Sequence, residues 1–195
     1  MRVFIALELP TAVKQALQVP LQHLQDTLPR NAVKWVMPES THITLKFLGE
    51  ITPDTLAKVK QASARAVQAS RPFELCAEQV GCFPNVKRPR VVWIGLNGEL
   101  QPLHMLRDQV EAEIAPLGFP TEERPFSPHL TLGRIKTEDR QAQGLVGQGV
   151  EQMQVGQVAS WMNTHLSIME STLTPAGAEY RALATYSLDK EKDNT

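Results

Sequence analysis

The chain has 195 residues, 42% of them hydrophobic and 21% charged, with a net charge of −1. That length is enough to bury a sizeable core in one domain or two packed lobes, and the composition is that of a soluble globular protein. A near-neutral balance excludes a global field drawing in nucleic acid or anionic membrane, so any polyanion site must be a local patch.

Residues 2–9, RVFIALEL, predict a strand ended by Pro10. Thr11 opens a helix to about Leu28, with Val13, Leu17, Leu21 and Leu24 on its apolar side and Pro20 inside the run as a kink or restart. A loop with Pro29, Asn31 and Pro38 leads to the strand HITLKFLG, 42–49. Thr52 at the cap, Pro53 at the first helical position and Asp54 in the first turn start the next helix, with Leu56, Val59, Ala62, Ala66 and Val67 as its apolar face. FELCAEQVGCF, 73–83, reads as a strand with a glycine break. VVWIGL, 91–96, is another strand, and Asn97-Gly98 is a turn. Leu100, Leu103, Leu106, Val110, Ile114 and Leu117 then give a long helix that Gly118 stops. HLTLGRI, 129–135, is a strand, followed by a weaker helix at about 137–147 and the strand MQVGQVAS, 153–160. LSIMEST, 166–172, and YRALATYSL, 180–188, complete the fold before a charged tail, DKEKDNT, expected to fray.

HITL at 42–45 and HLTL at 129–132 are nearly the same word, 87 positions apart (129 − 42). The order strand, helix, HxT strand, helix, strand also occurs twice at that offset, too few copies for a solenoid. The expected fold is α+β, a single bilobal domain over 1–195. Its duplicated lobes would be related by a pseudo-two-fold axis, with antiparallel-rich sheets lining a central cleft and helices outside. Lobe one spans about 1–86 with contributions from the C-terminal strands, and lobe two about 87–160.

A strand alternates its faces with period two. His42 and Thr44 therefore share one face and Ile43 and Leu45 the other, and His129 and Thr131 stand opposite Leu130 and Leu132 in the same way. Phe47 has the parity of Ile43 and Leu45, so simple alternation buries it. Two imidazoles with ordinary pKa values near 6.5 supply a base and an acid, and two hydroxyls donate to phosphate oxygens. That set fits displacement at phosphorus. A zinc centre is the rival reading, but the flanks of the two words hold no HxH, HExxH or nearby cysteine, which leaves His165 on a late strand as the one further candidate. His23 and His104 fall on helices, and no GxSxG elbow appears. Cys76 and Cys82, six apart, form neither a CxxC nor a zinc spacing and are expected to be reduced.

HITLKFLG and SPHLTLGR resemble the paired HxTx motifs of the two-histidine phosphoesterase superfamily, and more closely those of the bacterial and archaeal RNA 2′,3′-cyclic phosphodiesterases, also named 2′-5′ RNA ligases. RVFIALELP and VKWVMPESTHITLKFLGEI are similar to that branch as well, so the resemblance covers nearly the whole chain. It implies a bilobal α+β fold and hydrolysis of an RNA 2′,3′-cyclic phosphate to a 2′-phosphate, with no metal or nucleotide cofactor. Carried over residue by residue, it makes His42 the general acid for the leaving 3′-oxygen and His129 the base that activates water. The sequence by itself gives both rings equal status and allows the reverse. Thr44 and Thr131 match the phosphate-binding threonines, and Arg134 after the second motif can pair with phosphate. Lys46 takes roughly the matching place in the first half, as a substrate ligand or a solvent-facing residue.

Lys87, Arg88 and Arg90 form a short basic run, KRPR, either a solvated loop or a rim contact to RNA. Trp35, Phe47, Phe83 and Phe126 are candidates to stack on a terminal base, with at least two of the four expected in the core. The expected partner is an RNA with a 2′,3′-cyclic phosphate end, tRNA halves among them, acted on by a monomer. Three other functions stay open: 2′-5′ ligation by the reverse reaction, a small cyclic-phosphate metabolite as substrate, and an RNA-end binding module without catalysis. No stretch is long enough to span a bilayer, and RVFIALEL is too short for a signal peptide and lacks a cleavage site, so the expected location is cytoplasmic.

Overall fold

The first strand, β1 (Arg2–Glu8), is buried from Val3 to Leu7 because both of its faces are covered. Val3, Ile5 and Leu7 point into the main core, while Phe4 and Ala6 point the other way, against Met169 and Tyr180. The computed structural model describes residues 1–123, 125–174 and 177–189, so the charged tail lies outside the described residues after Asp189. The remaining strands are β2 (Val33–Trp35), β3 (His42–Glu50), β4 (Phe73–Phe83), β5 (Val91–Gly98), β6 (His129–Ile135), β7 (Gln157–Asn163), β8 (His165–Thr174) and β9 (Gly177–Ser187). They form two antiparallel sheets, one ordered β3-β1-β8-β9 and the other β2-β6-β5-β4-β7. The two orders correspond when β3, β1, β8 and β9 are matched with β6, β5, β4 and β7, with β2 as the addition. This is the two-lobed α+β architecture that the repeated element order predicts.

Sheet membership does not follow chain order. β4, the fifth element of the first repeat, pairs with β5 and β7 in the second sheet, while the first sheet is completed by β8 and β9 from the end of the chain. The short connection at 84–90 explains this, because it joins antiparallel neighbours as a hairpin and leaves no length to return to β1.

Five helices cover the sheets: α1 (Thr11–Ala16), α2 (Gln18–Thr27), α3 (Pro53–Ala66), α4 (Leu100–Ile114) and α5 (Arg140–Gln152). Pro20 restarts the first helical run: it sits in the first turn of α2, where its missing N–H has no helical acceptor to lose. The Thr52 hydroxyl accepts from the Thr55 amide and caps α3, with Pro53 at its first position. Gly118, at φ +89°, ends the α4 segment in the left-handed region. α4 packs on α3, β3 and β4 and so touches both sheets. Two boundaries differ from expectation. α5 runs on to Gln152 and β7 starts at Gln157, because Val146 and Val150 continue the buried helical stripe. The loop at 29–38 also contains β2, recruited by pairing with the end of β6. Among the described residues, no helix is long and apolar enough to cross a membrane.

Candidate active site

β3 reads His42, Ile43, Thr44, Leu45, Lys46, Phe47, and β6 reads His129, Leu130, Thr131, Leu132, Gly133, Arg134. Their burial runs in parallel: half-buried, buried, half-buried, buried, buried, exposed. Strict alternation fails at the same step in both. The pairing of β1 with β3 passes from Ala6–Thr44 to Ile5–Lys46 and skips Leu45. The pairing of β5 with β6 passes from Trp93–Thr131 to Val92–Gly133 and skips Leu132. Each strand therefore carries a bulge at this step, and the extra residue reverses the parity of the residues just after it.

This corrects two expectations. Phe47 is not buried by alternation: the bulge turns it to the His42 face, where it is 71% exposed and 6.0 Å, ring to ring, from Phe4. Phe47 is then the in-register counterpart of Arg134, at the same 87-residue offset as the histidines. Lys46 instead matches Gly133 and turns inward. It is 6% exposed, and its Nζ donates to Glu111 Oε2 at 2.7 Å and to the Pro120 carbonyl at 2.9 Å. Lys46 is thus neither a substrate ligand nor a solvent-facing residue. A buried ammonium needs partners, and α4 and the chain beyond it provide them.

β3 and β6, one from each sheet, approach each other, so the two motif strands meet between the lobes. Each histidine is fixed in the same way. His42 Nδ1 lies 3.0 Å from the Ser40 carbonyl, and His129 Nδ1 lies 2.8 Å from the Ser127 carbonyl. A carbonyl only accepts, so Nδ1–H donates in both rings and Nε2 is left with a free lone pair. Aromatic rings wall both imidazoles. Phe4 stacks on His42 at 4.6 Å and Tyr180 meets it edge-on at 5.0 Å. Phe83 meets His129 edge-on at 4.8 Å.

Burial lowers the His42 pKa to about 4; the Ser40 carbonyl opposes the shift, Lys14 adds to it, and Glu8, across the ladder, opposes it. His129 is also lowered, chiefly by burial, with the Ser127 carbonyl opposing and the Arg134 charge adding to the shift. Both rings are therefore neutral near pH 7. Among the described residues, the Thr44 and Thr131 hydroxyls have no hydrogen-bond partner and are free to donate to a ligand.

The other sequence candidates lie elsewhere. His165 is exposed and bonded to Thr164. His104 lies on α4 against Phe126, and Trp35 and Phe126 pack on the main core. Among the described residues, no three His, Cys, Asp or Glu side chains cluster around a common point. Cys76 and Cys82 are free, and burial pushes the Cys82 thiol up to about 11. Two wall residues were not singled out from sequence. Phe4 left a faint signal, a bulky aromatic on the face of β1 opposite Val3, Ile5 and Leu7. Tyr180 left none, because its place beside His42 depends on the pairing of β9 with β8.

The family model described as LigT like Phosphoesterase matches the chain twice, over residues 7–93 and 94–180. An RNA 2′,3′-cyclic phosphodiesterase of Archaeoglobus fulgidus is 32% identical over 190 residues, 95% of this chain and 99% of the relative. One of Aeropyrum pernix is 34% identical over 165 residues, 84% of this chain and 92% of the relative. The crystal structure of TT0787 of Thermus thermophilus superposes with a TM-score of 0.76 at 28% identity, over 96% of this chain and 98% of that one. E. coli LigT complexed with 3′-AMP superposes equally well in fold, with a TM-score of 0.76 at 23% identity over 97% of this chain and 98% of that one. The family pattern thus falls twice on this chain with the spacing of its own internal repeat, and the chain belongs to the LigT-like phosphoesterases.

Proposed function

We propose that this protein hydrolyses the 2′,3′-cyclic phosphate at an RNA 3′ end, leaving a 2′-phosphate and a 3′-hydroxyl. The observation that carries the reading is the pair of imidazoles, each fixed through Nδ1 and each followed by an unpartnered threonine, on strands from opposite lobes that meet. The names of the Archaeoglobus and Aeropyrum relatives support it.

In this mechanism His129 Nε2 takes a proton from water as the water oxygen bonds to phosphorus. The bond from phosphorus to the 3′-oxygen breaks, and the proton on His42 Nε2 passes to that oxygen. Exchange with solvent then returns both rings to their starting states. The hydroxyls of Thr44 and Thr131 donate to the non-bridging oxygens as charge builds on them. Arg134 adds positive charge beside the phosphate, and Phe47 offers its exposed ring to the terminal base. His42 starts neutral, so it must gain its proton with the substrate; the phosphate anion favours that protonation. All of these groups act on the cyclic phosphate and its last nucleoside, so tRNA halves belong to the same substrate class as other cleaved RNAs.

The test follows an RNA ending in a 2′,3′-cyclic phosphate by phosphorus NMR, with EDTA present. Wild type should give the 2′-phosphate, and His42→Ala and His129→Ala should each lose at least ~100-fold in rate. Loss of wild-type turnover in EDTA, or a variant that keeps its rate, would overturn the proposal.

A further inference from the structure

Five cations gather at a second place on the molecule. Lys87, Arg88 and Arg90 of the loop after β4, Lys136 at the end of β6 and Arg140 at the start of α5 line one groove of about 760 Å³. Glu138 is the one carboxylate that lines it. All five cations are exposed, and among the described residues none has an ion-pair partner. On a chain of net charge −1, this is a concentrated local field.

The groove is also built. Asn85 Oδ1 accepts from the amides of Lys87 and Arg88, the Arg90 amide donates to the Phe83 carbonyl, and the Ile135 amide donates to the Arg90 carbonyl. On α5, a side chain at Gly147 would collide with the backbone of Val86, so this glycine lets the helix close on the loop.

Two strands, β4 and β6, lead from the two-histidine site to the groove. Phe83, whose ring walls His129, is followed directly by Pro84 in the groove lining. Arg134, which acts electrostatically on His129, stands on β6 two residues before Lys136. At roughly 3.3 Å per residue, β6 carries the surface about 23 Å from His129 to Lys136. That is about seven nucleotides at roughly 3.4 Å per stacked nucleotide, and fewer for an extended strand. Among the residues that line the groove there is no aromatic face to stack a base, so its chemistry fits phosphates in series.

Resting on the function proposed above, we infer that this groove binds the phosphodiester backbone of the single strand that leads into the cyclic phosphate. It is a length-dependent and sequence-independent site. It makes an RNA strand a better substrate than a cyclic mononucleotide.

The experiment compares a 2′,3′-cyclic mononucleotide with a single-stranded RNA of about twelve nucleotides ending in the same group. Wild type and the variant Lys87→Glu/Arg88→Glu/Lys136→Glu are measured between roughly 50 and 200 mM salt. Wild type should show a KM at least ~10-fold lower for the oligomer. The variant should lose that advantage with kcat kept and mononucleotide kinetics unchanged. Its salt slope should shrink by about 0.7 for each phosphate no longer neutralised. An oligomer KM equal to that of the mononucleotide in wild type, or a variant that weakens both substrates alike, overturns the groove. If neither substrate turns over, the proposed function fails separately. Fluorescence anisotropy with the same oligomer ending in a 3′-hydroxyl then decides the groove alone: wild type should bind and the variant should not, and equal binding overturns it. Lys87→Gln/Arg88→Gln, at exposed loop positions, replaces the triple variant in both assays if that variant does not fold.

Discussion

At the scale of single residues, the two histidines are set apart by burial. Each is held by a carbonyl two residues earlier, and each is lowered from 6.5, His42 to about 4. If His129 is the base, it works only when neutral. Its lowered pKa keeps it neutral to below the ordinary imidazole value, so kcat/KM should rise as pH falls toward 6.5, because His42 must be protonated, and turn down only below 6.5. A pH–rate profile with its acid limb above 6.5 would contradict this. Stability should follow the same sign. The unfolded chain binds a proton at His42 below 6.5, and the folded chain does not until about 4. Stability present above 6.5 is therefore lost as pH falls from 6.5 toward about 4. Denaturant titrations should show His42→Asn more favourable, relative to wild type, at the acid end of that window than at neutral pH. The His and Thr partners were legible from parity alone. Of the rings that wall the histidines, Phe83 was a candidate from sequence but Phe4 and Tyr180 were not, since they come from two other strands that only the sheet pairing brings beside His42.

At the scale of elements, the two bulges decide which side chains face the cleft. Without them Phe47 would enter the core and Lys46 would face the substrate. With them, an exposed aromatic on β3 stands in register with an exposed cation on β6. Phe47→Ala should raise KM for a cyclic-phosphate RNA with kcat little changed, by the ~1–3 kcal/mol that one stacked base contributes. Steady-state kinetics check this, and a pure kcat loss would contradict it. Lys46→Met leaves the buried Glu111 carboxylate, among the described residues, with Arg107 as its remaining ion-pair partner, Nη2 3.5 Å from Oε1. A loss of about 3 kcal/mol in urea denaturation is expected, with kcat of the folded fraction retained. A bulge is invisible to a period-two reading because it depends on the partner strand's register.

At the scale of the whole molecule, the repeat is real but its halves are not separable. β4 leaves the first repeat for the second sheet, and β8 and β9 return to complete the first. A fragment of residues 1–86 would strand β4 without β5 and β7 and leave β1 open where β8 should lie. It should show no cooperative unfolding transition by circular dichroism, and a cooperative transition would contradict the interdigitated assembly. Much of the element order was legible because caps, turns and apolar periodicity are local. α5 and β7 shifted because Val146 and Val150 find burial further along than local signals indicate, and β2 exists through pairing with β6.

The sequence by itself determined the duplication, the two HxT words and the face they share, because strand parity and an 87-residue offset are properties of the chain alone. Tertiary structure decided the rest. Register turned Phe47 out and Lys46 in, strand exchange joined the lobes, and packing against distant rings set the histidine pKa values. It also gathered KRPR, Lys136 and Arg140, from three segments, around one groove. Each of these depends on which strand or helix lies alongside, and that is settled only when the whole core is buried at once.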